Sequence, residues 1–313
     1  MPPVRLATLS IDGAPVAAVV DGDAAHPLTG VASLRELLGD LDGALERIEA
    51  DLTAGRLGGA LALDTVDFLP PLGDPPHLYM AGANYADHAR EMGRLGPDDA
   101  VPRPAAGPFF FLRPTSSMTG HRTPVIRPAS VSRLDWEVEL AAVIGRRAHR
   151  VSESEALRHV VAYTIANDVS ARDSFVRDGP TGPMTYDWLG QKGWHTSCPC
   201  GPWLMPARDC PDPQDLTLRL SVNGELMQDS STSQMIFSLA EQIAHLSAIV
   251  PLVPGDIIST GTCAGVGAGR GRFLEGGDLM VAEIERIGRL ENPVVDEAER
   301  SAAPAGTAVG QAG

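Results

Sequence analysis

Between Leu134 and Gly145 the chain reads Leu-Asp-Trp-Glu-Val-Glu-Leu-Ala-Ala-Val-Ile-Gly, alternating acid and apolar before turning almost wholly apolar. Successive side chains of a strand point to opposite faces. The pattern predicts a strand with Asp135, Glu137 and Glu139 on one face and Trp136, Val138 and Leu140 on the other. Its apolar continuation takes that strand into a core, where an ionised carboxylate is costly unless paired or bound to a cation. Two readings are open at this point: an edge strand with a solvated acidic face, or carboxylates aimed at a hard divalent metal.

A third acid, Asp168, ends the β-branched run Val161-Ala-Tyr-Thr-Ile-Ala-Asn167, where a buried strand surfaces. Three carboxylates at strand ends suit an octahedral oxygen-liking cation such as Mg²⁺ or Mn²⁺; a lone Asp there also serves as a turn former. In Gly82-Ala-Asn-Tyr-Ala-Asp-His88-Ala-Arg-Glu91, a helix starting after Asn84 puts His88 and Glu91 on one face, as a carboxylate-oriented general base or as a surface ion pair. The Gly- and Pro-rich stretch 93–107 that follows is long enough for a lid. Lys192, between aromatic and glycine neighbours, is a candidate anion anchor, with Arg113 and Arg172 as further ones. Gly261-Thr262-Cys-Ala-Gly-Val-Gly267 closes a strand with a loop whose N–H groups and hydroxyl suit a carboxylate.

The 313 residues suffice for a full core in one or two domains. A net charge of −15 argues against nucleic acid and anionic membrane as partners, and an acidic substrate would need local cations to overcome that field. No stretch approaches the roughly 20 apolar residues of a membrane span, and the first residues lead into a strand pattern, so the expected location is cytoplasmic. The four cysteines lack zinc-ligand spacing and read as reduced, mostly buried thiols. Turns are expected at Asp12-Gly13 and Asp21-Gly22-Asp23, and capping boxes at Ser33–Glu36, Ser152–Glu155 and Ser238–Glu241. The first of these boxes is expected to open a helix running from Leu34 to about Leu52. The proline-dense stretch 67–76 divides a β-rich accessory segment, 1–72, from a catalytic segment, 73–293, with 294–313 as a disordered tail.

In their order along the chain, these motifs resemble the fumarylacetoacetate hydrolase family, in its acylpyruvase-like and 2-hydroxyhepta-2,4-diene-1,7-dioate isomerase-like branch. The resemblance is carried by Gly82-x-Asn84-Tyr85-x-Asp87-His88-x-x-Glu91, Asp135-Trp136-Glu137-Val138-Glu139-Leu140, Asn167-Asp168-Val169-Ser170-Ala171-Arg172 and Lys192-Gly193. Val222-Asn-Gly-Glu225, Pro254-Gly-Asp256 and Thr260-Gly-Thr262 extend it. It implies a β-rich α+β fold, a mixed β-sandwich roll with a small N-terminal β-rich domain, assembled as a homodimer. It also implies Mg²⁺ or Mn²⁺ on Glu137, Glu139 and Asp168, with His88, Glu91 and Lys192 catalytic. Tyr85, Arg113, Arg172, Gly261 and Thr262 would bind substrate. The implied substrate is a small anionic 2-keto or 2,4-diketo acid, hydrolysed at a carbon–carbon bond; decarboxylation of oxaloacetate or isomerisation of a hydroxydienoate is the alternative. Arg113 stands where a Lys is common in the family, and Phe175 near where some acylpyruvases carry Gln.

Overall fold

The computed structural model describes residues 3–298 apart from 94, 97, 98, 180 and 211. Asp12 and Gly13 both take positive φ, so the hairpin joining Arg5–Ile11 to Ala14–Asp21 is the two-residue type that matches strand twist. A second tight turn, at Gly22-Asp23, leads into Ala24–Pro27. Both turns fall where the sequence places them.

These strands are one flank of a 12-stranded sheet. From the flank inward, Arg5–Ile11 is followed by Cys198–Pro206, Val160–Asn167, Val138–Ile144, Ile257–Thr262, Leu78–Gly82 and the edge strand Phe109–Leu112. Asp67–Leu69, at the start of the proline-dense stretch, pairs with Arg5–Ile11 and is part of the same sheet. A separate five-stranded sheet has the order Glu225–Ser231, Thr217–Val222, Leu279–Ile284, Gly288–Asp296, Val125–Arg127. Its Val294–Asp296 pairs in parallel with Val125–Arg127, so the expected tail does not begin at 294: alternate Val side chains there still have a sheet to bury against. The rest of that tail, from 299, lies outside the described residues.

Val138–Ile144 is buried along its whole length because apolar layers cover both faces. Trp136, Val138, Leu140, Ala142 and Ile144 belong to a core shared with the five-stranded sheet and the helix Leu239–Ile249. Ala141 and Val143 face a second core built with Leu34, Leu38 and Leu45 of the N-terminal segment. The strand is therefore interior to the sheet and covered on both faces, which excludes the solvated-edge reading.

Of the three capping boxes, Ser238–Glu241 is present in full. Ser33 caps nothing; Leu34–Asp40 is a 3₁₀ stretch, and the α-helix Leu41–Thr53 starts only after Asp40, whose side chain accepts from Gly43 N–H. Gly39 and Asp40 weaken the first turns, so the expected continuous helix splits in two. Ser152 makes no cap bond to the backbone and precedes a helix of four residues, Glu153–Ala156.

Candidate metal centre and active site

Register brings the acids together. Val138 lies opposite Asn167 and Glu139 opposite both Ala166 and Thr262. One step before Val138, the carbonyl of Glu137 accepts from Asp168 N–H at 2.9 Å, and Glu137 N–H donates to Asn167 Oδ1 at 2.9 Å. Glu137, Glu139 and Asp168, all buried, thereby offer one carboxylate oxygen each within 4.8 Å of one another.

Asp135 departs from the strict alternation. The ladder is interrupted at Trp136-Glu137, and Leu134–Asp135 pairs with Ser170–Ala171 in a small sheet of its own. Asp135 consequently turns away to the glycine-rich loop, accepting from Gly267 N–H at 2.6 Å and Ala268 N–H at 3.0 Å.

Three cations stand among the acids. Lys192 Nζ donates to Glu137 at 2.8 Å and to Asp168 at 2.5 Å. Arg172 bridges Asp135, at 2.8 Å, and Glu137. Arg113 binds the other oxygen of Asp168 and spends its remaining N–H groups on Ser117 and on the Val169 and Ser197 carbonyls. Burial by itself would raise the Glu137 pKa, but Lys192 and Arg172 outweigh it and hold the carboxyl far below its usual range. Glu139 has no such cation; burial first, then the charges of Asp168 and Glu137, push it well above the usual carboxyl range. Ser259 Oγ–H, at 2.5 Å, and Gly261 N–H, at 3.0 Å, donate to it.

With its four acids ionised, the cluster carries one more negative than positive charge. An all-oxygen donor set with surplus negative charge and a carboxyl that resists ionising fits a hard divalent cation, whose charge would supply what Glu139 lacks.

A cavity of about 380 Å³ opens over the three acids, lined also by His88, Arg172, Lys192 and Thr262. His88 and Glu91 occupy the helix Ala86–Gly93, as the spacing predicts, with His88 Nδ1 3.7 Å from Glu91 Oε2. Glu91 accepts twice from Gly265 N–H, at 3.0 and 3.1 Å. Burial would raise its pKa; His88 and Gly265 N–H together lower it. At Gly265, φ is +100° and a Cβ would lie 2.1 Å from the Met227 carbonyl oxygen, so only glycine delivers that N–H to Glu91.

Three expected substrate contacts are placed differently. Tyr85 is fully buried among core side chains and does not line the cavity, because its ring fills the space beneath the helix start. Arg113 sits behind Asp168, drawn there by the carboxylate and four backbone or hydroxyl oxygens. The Gly261 N–H is committed to Glu139. Thr262 does line the cavity, but its hydroxyl donates to the Val138 carbonyl at 2.9 Å and accepts from Gln228. Ser197, Gln228 and Ser259 were not among the candidates. Ser259 carries a signal, a polar residue directly after Ile257-Ile258, which a core accepts only when it is hydrogen-bonded; Ser197 and Gln228 have polar neighbours in sequence and carry none.

Residues 77–295 match the family model of the fumarylacetoacetate hydrolase C-terminal region. The chain belongs to the fumarylacetoacetate hydrolase family. Among curated relatives, oxaloacetate tautomerase FAHD2B, a mitochondrial protein of Bos taurus, is 41% identical over 259 residues, covering 80% of this chain and 78% of that one. A 2-hydroxyhepta-2,4-diene-1,7-dioate isomerase from Mycobacterium marinum superposes with a TM-score of 0.70 at 32% identity, covering 94% of this chain and 99% of its own. Maleylpyruvate hydrolase from Sphingobium sp. SYK-6, solved with manganese(II) and pyruvate, gives a TM-score of 0.75 at 28% identity over 93% and 99% of the two chains. The family membership and the β-rich α+β fold agree with the reading of the motifs. Among the described residues no helix is long and apolar enough to cross a membrane.

Proposed function

We propose that this family member is a Mg²⁺- or Mn²⁺-dependent enzyme that interconverts the keto and enol forms of a small 2-oxo dicarboxylic acid of the oxaloacetate type. The observation that carries the reading is the buried acidic triad sharing one cavity with His88. A divalent cation held by Glu137, Glu139 and Asp168 would supply Lewis acidity, lowering the cost of negative charge on the substrate's 2-oxo oxygen. His88 faces the same space and is the base that removes or returns the proton on the neighbouring carbon. Glu91, kept ionised, favours the imidazolium that results. Lys192, while neutralising Glu137 and Asp168, also presents its positive charge to the developing oxyanion.

Hydrolysis of a carbon–carbon bond in a 2,4-diketo acid, which the motifs alone put first, is the second reading. It uses the same enolate with His88 activating water, and the likeness to maleylpyruvate hydrolase supports it. The 41% identity with an oxaloacetate tautomerase favours the proton-transfer reading. Assembly as a homodimer belongs to the same proposal, supported by Phe109 and Leu112, apolar and exposed on an edge strand.

The test is side-by-side assay of oxaloacetate ketonisation and of pyruvate release from acylpyruvates. Chelation should abolish the activity and Mg²⁺ or Mn²⁺ restore it. His88→Ala should slow proton transfer by about 100-fold or more while leaving Mn²⁺ affinity intact. Activity that survives exhaustive chelation, or a His88→Ala enzyme as fast as its parent, would remove the proposal.

A further inference from the structure

We propose that Arg133 is the receptor for a second carboxylate on the substrate, making the site selective for 2-oxo dicarboxylates over 2-oxo monocarboxylates. The inference rests on the reading in which the triad and its cation take the 2-oxo acid end. Among the described residues, three Lys or Arg side chains line the cavity: Arg133, Arg172 and Lys192. Arg172 and Lys192 are each bound to two carboxylates of the cluster. Among the described residues no carboxylate pairs with the Arg133 guanidinium, which lies over the Phe273 ring at 4.8 Å from its centroid.

The backbone around Arg133 is fixed. Its N–H donates to Asp173 at 3.2 Å, and its carbonyl accepts from Arg172 N–H at 2.9 Å. It precedes Asp135 by two residues at the head of the short Leu134–Asp135 ladder. Arg133 thus shares the cavity with the triad while Arg172 stands between Glu137 and Asp135, already bound to both. The cavity lining also includes Phe111, Phe175, Trp188 and Met92, apolar side chains that offer nothing to a charge.

Electrostatics decides what Arg133 is for. A divalent cation turns the cluster's single excess negative charge into a single positive one, enough to hold one carboxylate. A second carboxylate would meet a protein of net charge −15 with no cation left in the cluster to offset it. The Arg133 guanidinium supplies that charge, with the planar fork that suits a carboxylate.

The experiment is calorimetric titration of the full chain, loaded with Mn²⁺, with 2-oxoglutarate and with 2-oxopentanoate, which replaces the distal carboxylate by a methyl group. The parent should prefer the dicarboxylate by about 10-fold or more, Arg133→Ala should bring that ratio close to one, and Arg133→Lys should retain part of it. Arg133 is exposed, so the variants should keep the parent's melting temperature. A parent that binds both ligands equally, or an Arg133→Ala protein that weakens on both alike, overturns the role of Arg133 and leaves the metal-end reading standing. Failure of the Mn²⁺-loaded parent to bind either ligand overturns that reading, and this inference with it.

Discussion

Glu139 differs from its two partners in having no side-chain cation of its own: Glu137 has Lys192 and Arg172, and Asp168 has Lys192 and Arg113. Burial and the charges of Asp168 and Glu137 raise its pKa, so without metal the folded state keeps a proton there to higher pH than the unfolded chain does. The sign follows: this group's contribution to stability is full below the ordinary carboxyl pKa and is lost as pH rises towards the folded value. Glu139→Gln keeps the shape and discards the titration. In chelator, the variant should lose less stability than the parent as pH rises above the ordinary carboxyl range in denaturant unfolding. Its Mn²⁺ affinity should fall by at least about 100-fold, because a neutral amide replaces an anionic ligand. Equal affinity for Mn²⁺ in the two proteins would show that Glu139 is not a ligand.

Among the elements, the loop after Ile257–Thr262 connects the most parts of the site. Its Gly265 N–H holds Glu91, its Gly265 carbonyl accepts from Trp136 Nε1–H at 3.0 Å, and its Gly267 and Ala268 N–H groups hold Asp135. Each bond needs backbone close to a neighbour, and Gly267, like Gly265, has no room for a side chain: a Cβ there would lie 2.1 Å from the Arg272 carbonyl oxygen. Gly265→Ala should therefore cost on the order of 3 kcal/mol or more, from φ strain together with the clash. Gly13→Ala, at φ +78° with open space around it, should cost only about 1 kcal/mol. Denaturant unfolding compares the two, and equal costs would mean that strain alone, without the close approach, governs Gly265. The sequence made this loop visible as a run of glycines. It could not say whether the N–H groups serve substrate or protein, since that depends on which carboxylates the fold delivers to them.

Across the whole molecule, the N-terminal flank and the five-stranded sheet meet around His121. The ring packs edge-on against Phe68 at 5.2 Å, and its Nδ1 accepts from Glu291 N–H at 3.0 Å. Burial, and then Arg122 and Arg289, lower its pKa from 6.5 to about 4. The folded protein thus keeps His121 neutral where the unfolded chain would protonate it. Stability from this group is complete above pH 6.5 and is lost as pH falls towards about 4, by up to about 3 kcal/mol. His121→Gln, whose amide oxygen can accept the same N–H, should flatten that acid limb; an unchanged slope in urea unfolding would assign it to other groups.

Residue order determined much of this protein. Alternation and apolar runs marked the strand that carries Glu137 and Glu139, Asn167-Asp168 marked the end of its neighbour, and a three-residue spacing put His88 beside Glu91, because these are local regularities of strand and helix. Tertiary structure alone decided which polar groups meet. Pairing of Val138 with Asn167 set Glu137 beside Asp168, a break in the ladder sent Asp135 to the glycine loop, and the core took Tyr85. Arg113 and Arg133 look alike as sequence, yet one is bound behind Asp168 and the other stands unpaired over the cavity. That difference follows from the strand each one adjoins and the neighbours assembled around it, so chain order cannot specify it.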